Sequence, residues 1–129
     1  MRRVVVDASV LAAITFGEPD ADRCSRMLDG ALLHAPSLLR YEMANAARKK
    51  CRLASRKSAD LATALSLALD PRRGISYHDP NPVDLLLLAN ATGLSPYDAS
   101  YLWLAGFLGA DLVTLDKQLA AAHDAMAIA

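Results

Sequence analysis

Short apolar runs alternate along the chain with helical patterns. Arg3-Val4-Val5-Val6 is a β-branched run that ends at Asp7-Ala8-Ser9, and Val10, Leu11, Ala12 and Ala13 follow as helix. This order predicts a buried strand running into a helix, with Asp7 at the strand's carboxyl end. Glu18-Pro19-Asp20 starts a second helix, with Pro at its first position, and Gly30 closes it after Met27-Leu28. Ala31 to Ala35 reads as a second strand, and Pro36-Ser37 opens a longer helix through Leu53. Ser58 caps another, which reaches Leu69 before Asp70-Pro71 breaks it. Ile75 to His78 is a third strand. Asn81-Pro82-Val83-Asp84 combines an N-cap, a first-position Pro and an acidic first turn, launching a helix from Leu85 to Ala91 that Gly93 ends. Ser95-Pro96-Tyr97-Asp98 repeats that signal for a helix carrying Tyr101, Leu102, Leu104, Ala105 and Leu108 up to Gly109. Ala110 to Thr114 is a last strand, ending at Leu115-Asp116. An amphipathic helix from Lys117 to about His123 and a stub from Met126 to Ala129 follow.

Strands alternating with helices imply an α/β fold with a central, mostly parallel sheet covered on both faces. At 129 residues, 53% of them hydrophobic, a single domain over residues 1–129 is expected, too apolar for a disordered chain. Lys and Arg number 14 against 14 Asp and Glu, so a uniformly basic nucleic-acid binder is excluded. Any polyanion partner has to be held by a local patch or by metal ions. Cys24 and Cys51 lack C-x-x-C spacing and no secretory leader pattern precedes them, so free thiols in a reducing, cytoplasmic setting are expected. Val4 to Val6 and Leu85 to Ala89 are far too short to span a bilayer, so no membrane association is expected.

Sites in open parallel sheets gather outside the carboxyl ends of the strands. Asp7 and Asp116 both fall there, Asp98 lies in the first turn of a helix, and Glu42 shares a helical stripe with Leu38, Asn45 and Lys49. Glu42 is one of only two Glu against twelve Asp. Each acid also has a structural explanation: Asp7 and Asp116 as helix caps, Asp98 as part of a Ser95-x-x-Asp98 capping box, Glu42 as a solvated helical side chain. Gathered in one pocket, however, these carboxylates repel one another unless a cation neutralises them. Oxygen ligands favour a hard ion, Mg²⁺ or Mn²⁺. His34, His78 and His123 stand at no metal-ligand spacing in the sequence, which argues against zinc. Ser9 and Thr114 are hydroxyls that could complete such a site.

Four segments together resemble the PIN-domain ribonucleases, and most closely the VapC-type toxins of toxin-antitoxin pairs. They are Val5-Val6-Asp7-Ala8-Ser9-Val10-Leu11, Tyr41-Glu42-x-x-Asn45, Tyr97-Asp98-Ala99-x-Tyr101-x-x-Leu104-Ala105, and Gly109-Ala110-x-Leu112-Val113-Thr114-Leu115-Asp116. They stand in family order at family spacing. The resemblance implies a three-layer α/β/α fold and a metal-dependent endoribonuclease, with Asp7, Glu42, Asp98 and Asp116 as the acidic quartet that binds Mg²⁺ or Mn²⁺. Ser9, Asn45 and Thr114 match the supporting polar positions. The resemblance also implies an RNA substrate and an antitoxin protein that blocks the enzyme.

An acid-lined site needs cationic surface nearby to meet RNA. Arg48, Lys49, Lys50 and Arg52, followed by Arg56 and Lys57, crowd the end of the long helix, with no acid between Glu42 and Asp60. The apolar helices from Val83 to Leu108 offer a homodimer face or a groove for an antitoxin helix. Two other readings compete. A response-regulator receiver shares the length and the strand-end aspartates, but its first strand ends in paired acids and a Lys-Pro follows a late strand, whereas here Asp7 stands alone and Lys117 precedes Gln118. A catalytically silent PIN-like interaction module is the other, and the intact quartet argues against it.

Overall fold

The computed structural model describes residues 1–53 and 56–128. Its order of elements is β1 (Arg3–Val6), α1 (Ala8–Thr15), α2 (Ala21–Leu28), β2 (Leu32–Pro36), α3 (Leu38–Leu53), α4 (Ser58–Ala68), a 3₁₀ turn (Pro71–Arg73), β3 (Ile75–His78), α5 (Pro82–Thr92), α6 (Pro96–Leu108), β4 (Asp111–Val113) and α7 (Lys117–Ile128). The four strands form one parallel sheet in the order β3-β2-β1-β4. Helix α6 lies across β1, β2 and β4 between α5 and α7, while α1, α3 and α4 pack on one another with α3 against β2, giving the three layers. That strand order differs from the 2-1-3-4-5 order of receiver domains.

The interior position of β1 explains its composition. Val4, Val5 and Val6 are all fully buried, because helices cover both faces of a central parallel strand. Leu39 and Met43 of α3, Leu102 and Leu104 of α6 and Leu119 of α7 complete the core with no exposed surface beyond 1%. Truncating any of these leucines to Ala costs about 2–5 kcal/mol. Gly109 ends α6 at φ 60°, a left-handed conformation that lets the chain turn straight into β4.

Element boundaries differ from expectation in ways the chemistry explains. Pro36 ends β2 instead of opening α3; it pairs with His78 beyond the last β1 partner, where a missing N–H breaks no ladder. Ser58 does not cap α4: Lys57 holds that position and the Ser58 hydroxyl donates to the Cys51 sulfur. Helix α7 runs through the segment expected as a stub, since its alanines favour helix and nothing stops it; Ala129 lies outside the described residues. His34 and His78, unrelated in sequence spacing, meet across β2 and β3 with Nδ1 and Nε2 2.9 Å apart. Cys24 and Cys51 are free. Among the described residues no helix is long and apolar enough to cross a membrane.

Candidate active site

The chain lays down β1, β2 and β3 outward in one direction, then returns to place β4 on the other side of β1. The reversal opens a crevice at the carboxyl ends of β1 and β4. Asp7 sits at its base, only 7% exposed. A buried carboxylate needs its lone pairs filled, and three hydrogen bonds fill them. The Ala8 N–H donates to Oδ1 at 2.9 Å, while the Ser9 and Thr114 hydroxyls donate to Oδ2 at 2.8 and 2.7 Å. The hydroxyls are held in turn: the Leu115 N–H donates to Ser9 Oγ and the Asp116 N–H to Thr114 Oγ1, both at 3.0 Å. The Asp7 N–H donates to the Val113 carbonyl at 3.0 Å, so the knot continues the β1–β4 pairing. Ser9 and Thr114 thus fix one orientation of Asp7.

The other acids reach the crevice from three helices. Asp116 precedes α7 and its Oδ1 accepts the Leu119 N–H at 3.0 Å, a cap that leaves Oδ2 open. Asp98 stands in the first turn of α6, where Ser95 Oγ accepts its backbone N–H at 3.1 Å. Only the serine half of the expected capping box forms. Among the described residues the Asp98 carboxylate has no hydrogen-bond partner, so capping does not explain its charge. Glu42, half-buried on the second turn of α3, accepts a hydrogen bond at Oε1 from the hydroxyl of Tyr101, which is fully buried on α6.

Electrostatic coupling ties these groups together. Burial pushes the Glu42 carboxyl above its ordinary range; the Tyr101 hydrogen bond pulls it back, and the charges of Asp7 and Asp98 push it up further. Burial also raises Asp98, aided by the charges of Asp116 and Asp7. Tyr101 is held far above the ordinary phenol range by burial, then by its bond to Glu42 and the charges of Glu42 and Asp7. Each of the four carboxylates therefore feels, or is felt by, another of the set. The excess of negative charge in a half-buried crevice is what a cation relieves.

In donor chemistry the residues fit a hard divalent ion: every donor is oxygen, and oxygens of Asp98, Asp116 and Glu42 remain open. Among the described residues no three potential His, Cys, Asp or Glu ligands stand close enough together to hold an ion as they are placed. Asn45, one turn beyond Glu42, is exposed and has no hydrogen bond to the acids among the described residues. Arg48, Lys49 and Arg52 are exposed at the far end of α3. Lys50 is different, since its Nζ lies 2.8 Å from Glu18 Oε1 and its charge is already matched. Arg56 donates to the Phe16 carbonyl at 2.9 Å. The sequence placed Tyr101 on this helix and in the motif that begins at Tyr97 but assigned its hydroxyl no role; its place three residues after Asp98, on the same helical face, was the available signal.

Comparison with known proteins gives three findings. The family model described as PIN domain matches residues 4–124. Ribonuclease VapC3 of Pyrobaculum aerophilum is 33% identical over 121 residues, covering 92% of each chain. The crystal structure of PAE2754, also from Pyrobaculum aerophilum, matches with a TM-score of 0.73 and 27% identity, over 98% of this chain and 88% of that one.

Proposed function

Because the chain belongs to the PIN-domain family, with a curated ribonuclease among its relatives, we propose that it is a divalent-metal-dependent endoribonuclease and the toxin of a toxin-antitoxin pair. The observation that carries this reading is the coupled set of four acids around the Asp7 knot. Asp7, Glu42, Asp98 and Asp116 would hold Mg²⁺ or Mn²⁺, which supplies the positive charge that polarises the scissile phosphodiester. Ser9 and Thr114 keep Asp7 in a single orientation, and Tyr101 does the same for Glu42. Arg48, Lys49 and Arg52 attract the RNA backbone, with Lys50 contributing less because of Glu18.

Partners follow from the same reading. On α5, Val83, Leu86 and Leu87 are 64%, 53% and 63% exposed at i, i+3, i+4 spacing, which supports a homodimer face. An antitoxin protein would block the nuclease in the cytoplasm. The test is cleavage of unpaired RNA by the purified protein in Mg²⁺ or Mn²⁺ and in chelator. Metal-dependent cleavage leaving a 5′-phosphate and a 3′-hydroxyl, lost in Asp7→Asn with the fold intact, is the expected result. Wild-type rates in that variant overturn the site. Growth arrest on expression, relieved by the neighbouring reading frame, tests the toxin assignment.

A further inference from the structure

A groove of about 720 Å³ opens beside the acid crevice, at the carboxyl ends of β2 and β3. The start of α6 joins the two: Tyr97 lines the groove, and the next residue is Asp98. Tyr97 is 65% exposed. The Ser100 hydroxyl donates to the Tyr97 carbonyl at 2.5 Å and pins that turn. The volume suits a small organic group rather than a lone ion.

The lining says which part of an RNA strand belongs there. It contains neither Lys nor Arg to match a phosphate's charge and it carries the Asp79 carboxylate, whereas Pro36, Pro80 and Pro82 present rigid apolar walls that suit a flat ring. Besides Tyr97, its polar side chains are Ser37, His78, Asp79, Asn81 and Ser100, and two of them, an acceptor and a donor close in sequence, bear on the choice of base. Asp79 offers a carboxylate. The Asn81 Oδ1 already accepts the Val83 N–H at 2.8 Å, which leaves the Asn81 amide NH₂ to donate. Among the four RNA bases only guanine carries two adjacent N–H donors next to a carbonyl, matching a carboxylate and an amide NH₂ together. Unpaired bases are commonly read this way, by stacking on an aromatic ring and hydrogen bonding along the Watson–Crick edge.

We propose that this groove takes an unpaired guanine of the RNA substrate, stacked on Tyr97 and read by Asp79 and Asn81, and so sets which bond enters the acid crevice. The proposal rests on the ribonuclease reading above. The groove is a base site, and Arg48, Lys49 and Arg52 on α3 serve the backbone.

The test uses the full chain with fluorescein-labelled oligouridine decamers carrying one central guanine, adenine or cytosine. Binding is read by anisotropy in EDTA, and cleavage in Mg²⁺ is followed in parallel. The guanine oligomer should bind about tenfold tighter than the others. Asp79→Asn should remove that preference, and Tyr97→Ala should weaken binding of every oligomer about tenfold or more. Melting temperatures of the variants confirm that both fold. If wild type cleaves RNA but both variants bind all oligomers as wild type does, the groove proposal is overturned and the nuclease reading survives. If Tyr97→Ala instead changes the elution volume at unchanged affinity, a second copy of the chain fills the groove and the proposal is likewise overturned. If wild type cleaves none of these RNAs in Mg²⁺ or Mn²⁺, the ribonuclease reading fails and the groove proposal falls with it.

Discussion

Replacing Asp98 with Asn separates a catalytic acid from a structural one. The cap of α6 uses the Asp98 backbone N–H and Ser95 Oγ, so the substitution leaves it in place. Two effects then oppose each other. A carboxylate in the first turn of a helix gains about 0.3–1 kcal/mol from the helix dipole. Against this stand partial burial and the charges of Asp116 and Asp7, all three of which raise the Asp98 pKa. Repulsion between partly exposed carboxylates is worth about 0.2–1 kcal/mol per pair. Asp98→Asn should therefore raise Tm in EDTA at pH 7, by about 4 °C for each kcal/mol gained, given an unfolding entropy of about 0.27 kcal/mol/K for a chain of this size.

The gain should depend on pH in a definite direction. A carboxyl whose pKa is raised in the folded state favours folding while protonated, and that advantage is lost as pH rises through the folded pKa. The variant's advantage is therefore full at pH 7 and disappears near pH 4, around the ordinary Asp value. At a Mg²⁺ concentration about 100 times its Kd, wild type should gain about 2.7 kcal/mol, roughly 10 °C, and the variant much less. Asp84, exposed in the first turn of α5, is the control. Asp84→Asn should lower Tm by about 2 °C through loss of the dipole interaction alone. Calorimetric melts with and without metal measure all of this. An Asp98→Asn protein that melts below wild type in EDTA, or that gains as much from Mg²⁺, refutes the reasoning.

Three further outcomes follow from the geometry. Thr114→Val removes a hydroxyl bonded to both Asp7 and the Asp116 N–H, and should cost about 1–3 kcal/mol in urea unfolding while weakening Mg²⁺ binding. Tyr101→Phe takes away the hydrogen bond that holds the Glu42 pKa down, so the acidic limb of the cleavage rate against pH should move to higher pH; an unmoved limb means that Glu42 does not control it. Lys50→Ala should reduce the salt dependence of RNA binding less than Lys49→Ala or Arg52→Ala, as titration in KCl would show, because Glu18 already neutralises Lys50.

Some of this is legible in the amino-acid sequence, and the reasons are local. A strand of one Arg and three Val followed by Asp-x-Ser fixes Asp7 at a strand end, and Pro at first helical positions places Asp84 and Asp98 within a turn of their helix starts. What escaped depends on contacts between distant segments. Tyr101 meets Glu42 only because α6 and α3 pack near the same crevice, and its spacing from Asp98 marks the helical face but not the partner of the hydroxyl. His34 and His78 are brought together by strand register, which sequence spacing does not encode. Lys50 looked like one of a row of cations until α3 was seen to pass Glu18.

The knot around Asp7 also dictates when the enzyme can exist. Asp7 and Thr114 are 107 residues apart, so a chain emerging amino end first holds its deepest acid almost from the outset and its partner only late in synthesis. Until β4 docks, β1 is the edge of a three-stranded sheet, and beyond Arg3 its Val4-Val5-Val6 row has no charge or proline to discourage pairing with another chain. Nuclease activity and protection from aggregation should therefore arrive together. Pulsed hydrogen exchange during refolding should read this as late protection of the Asp7 amide, after those of β2 and β3.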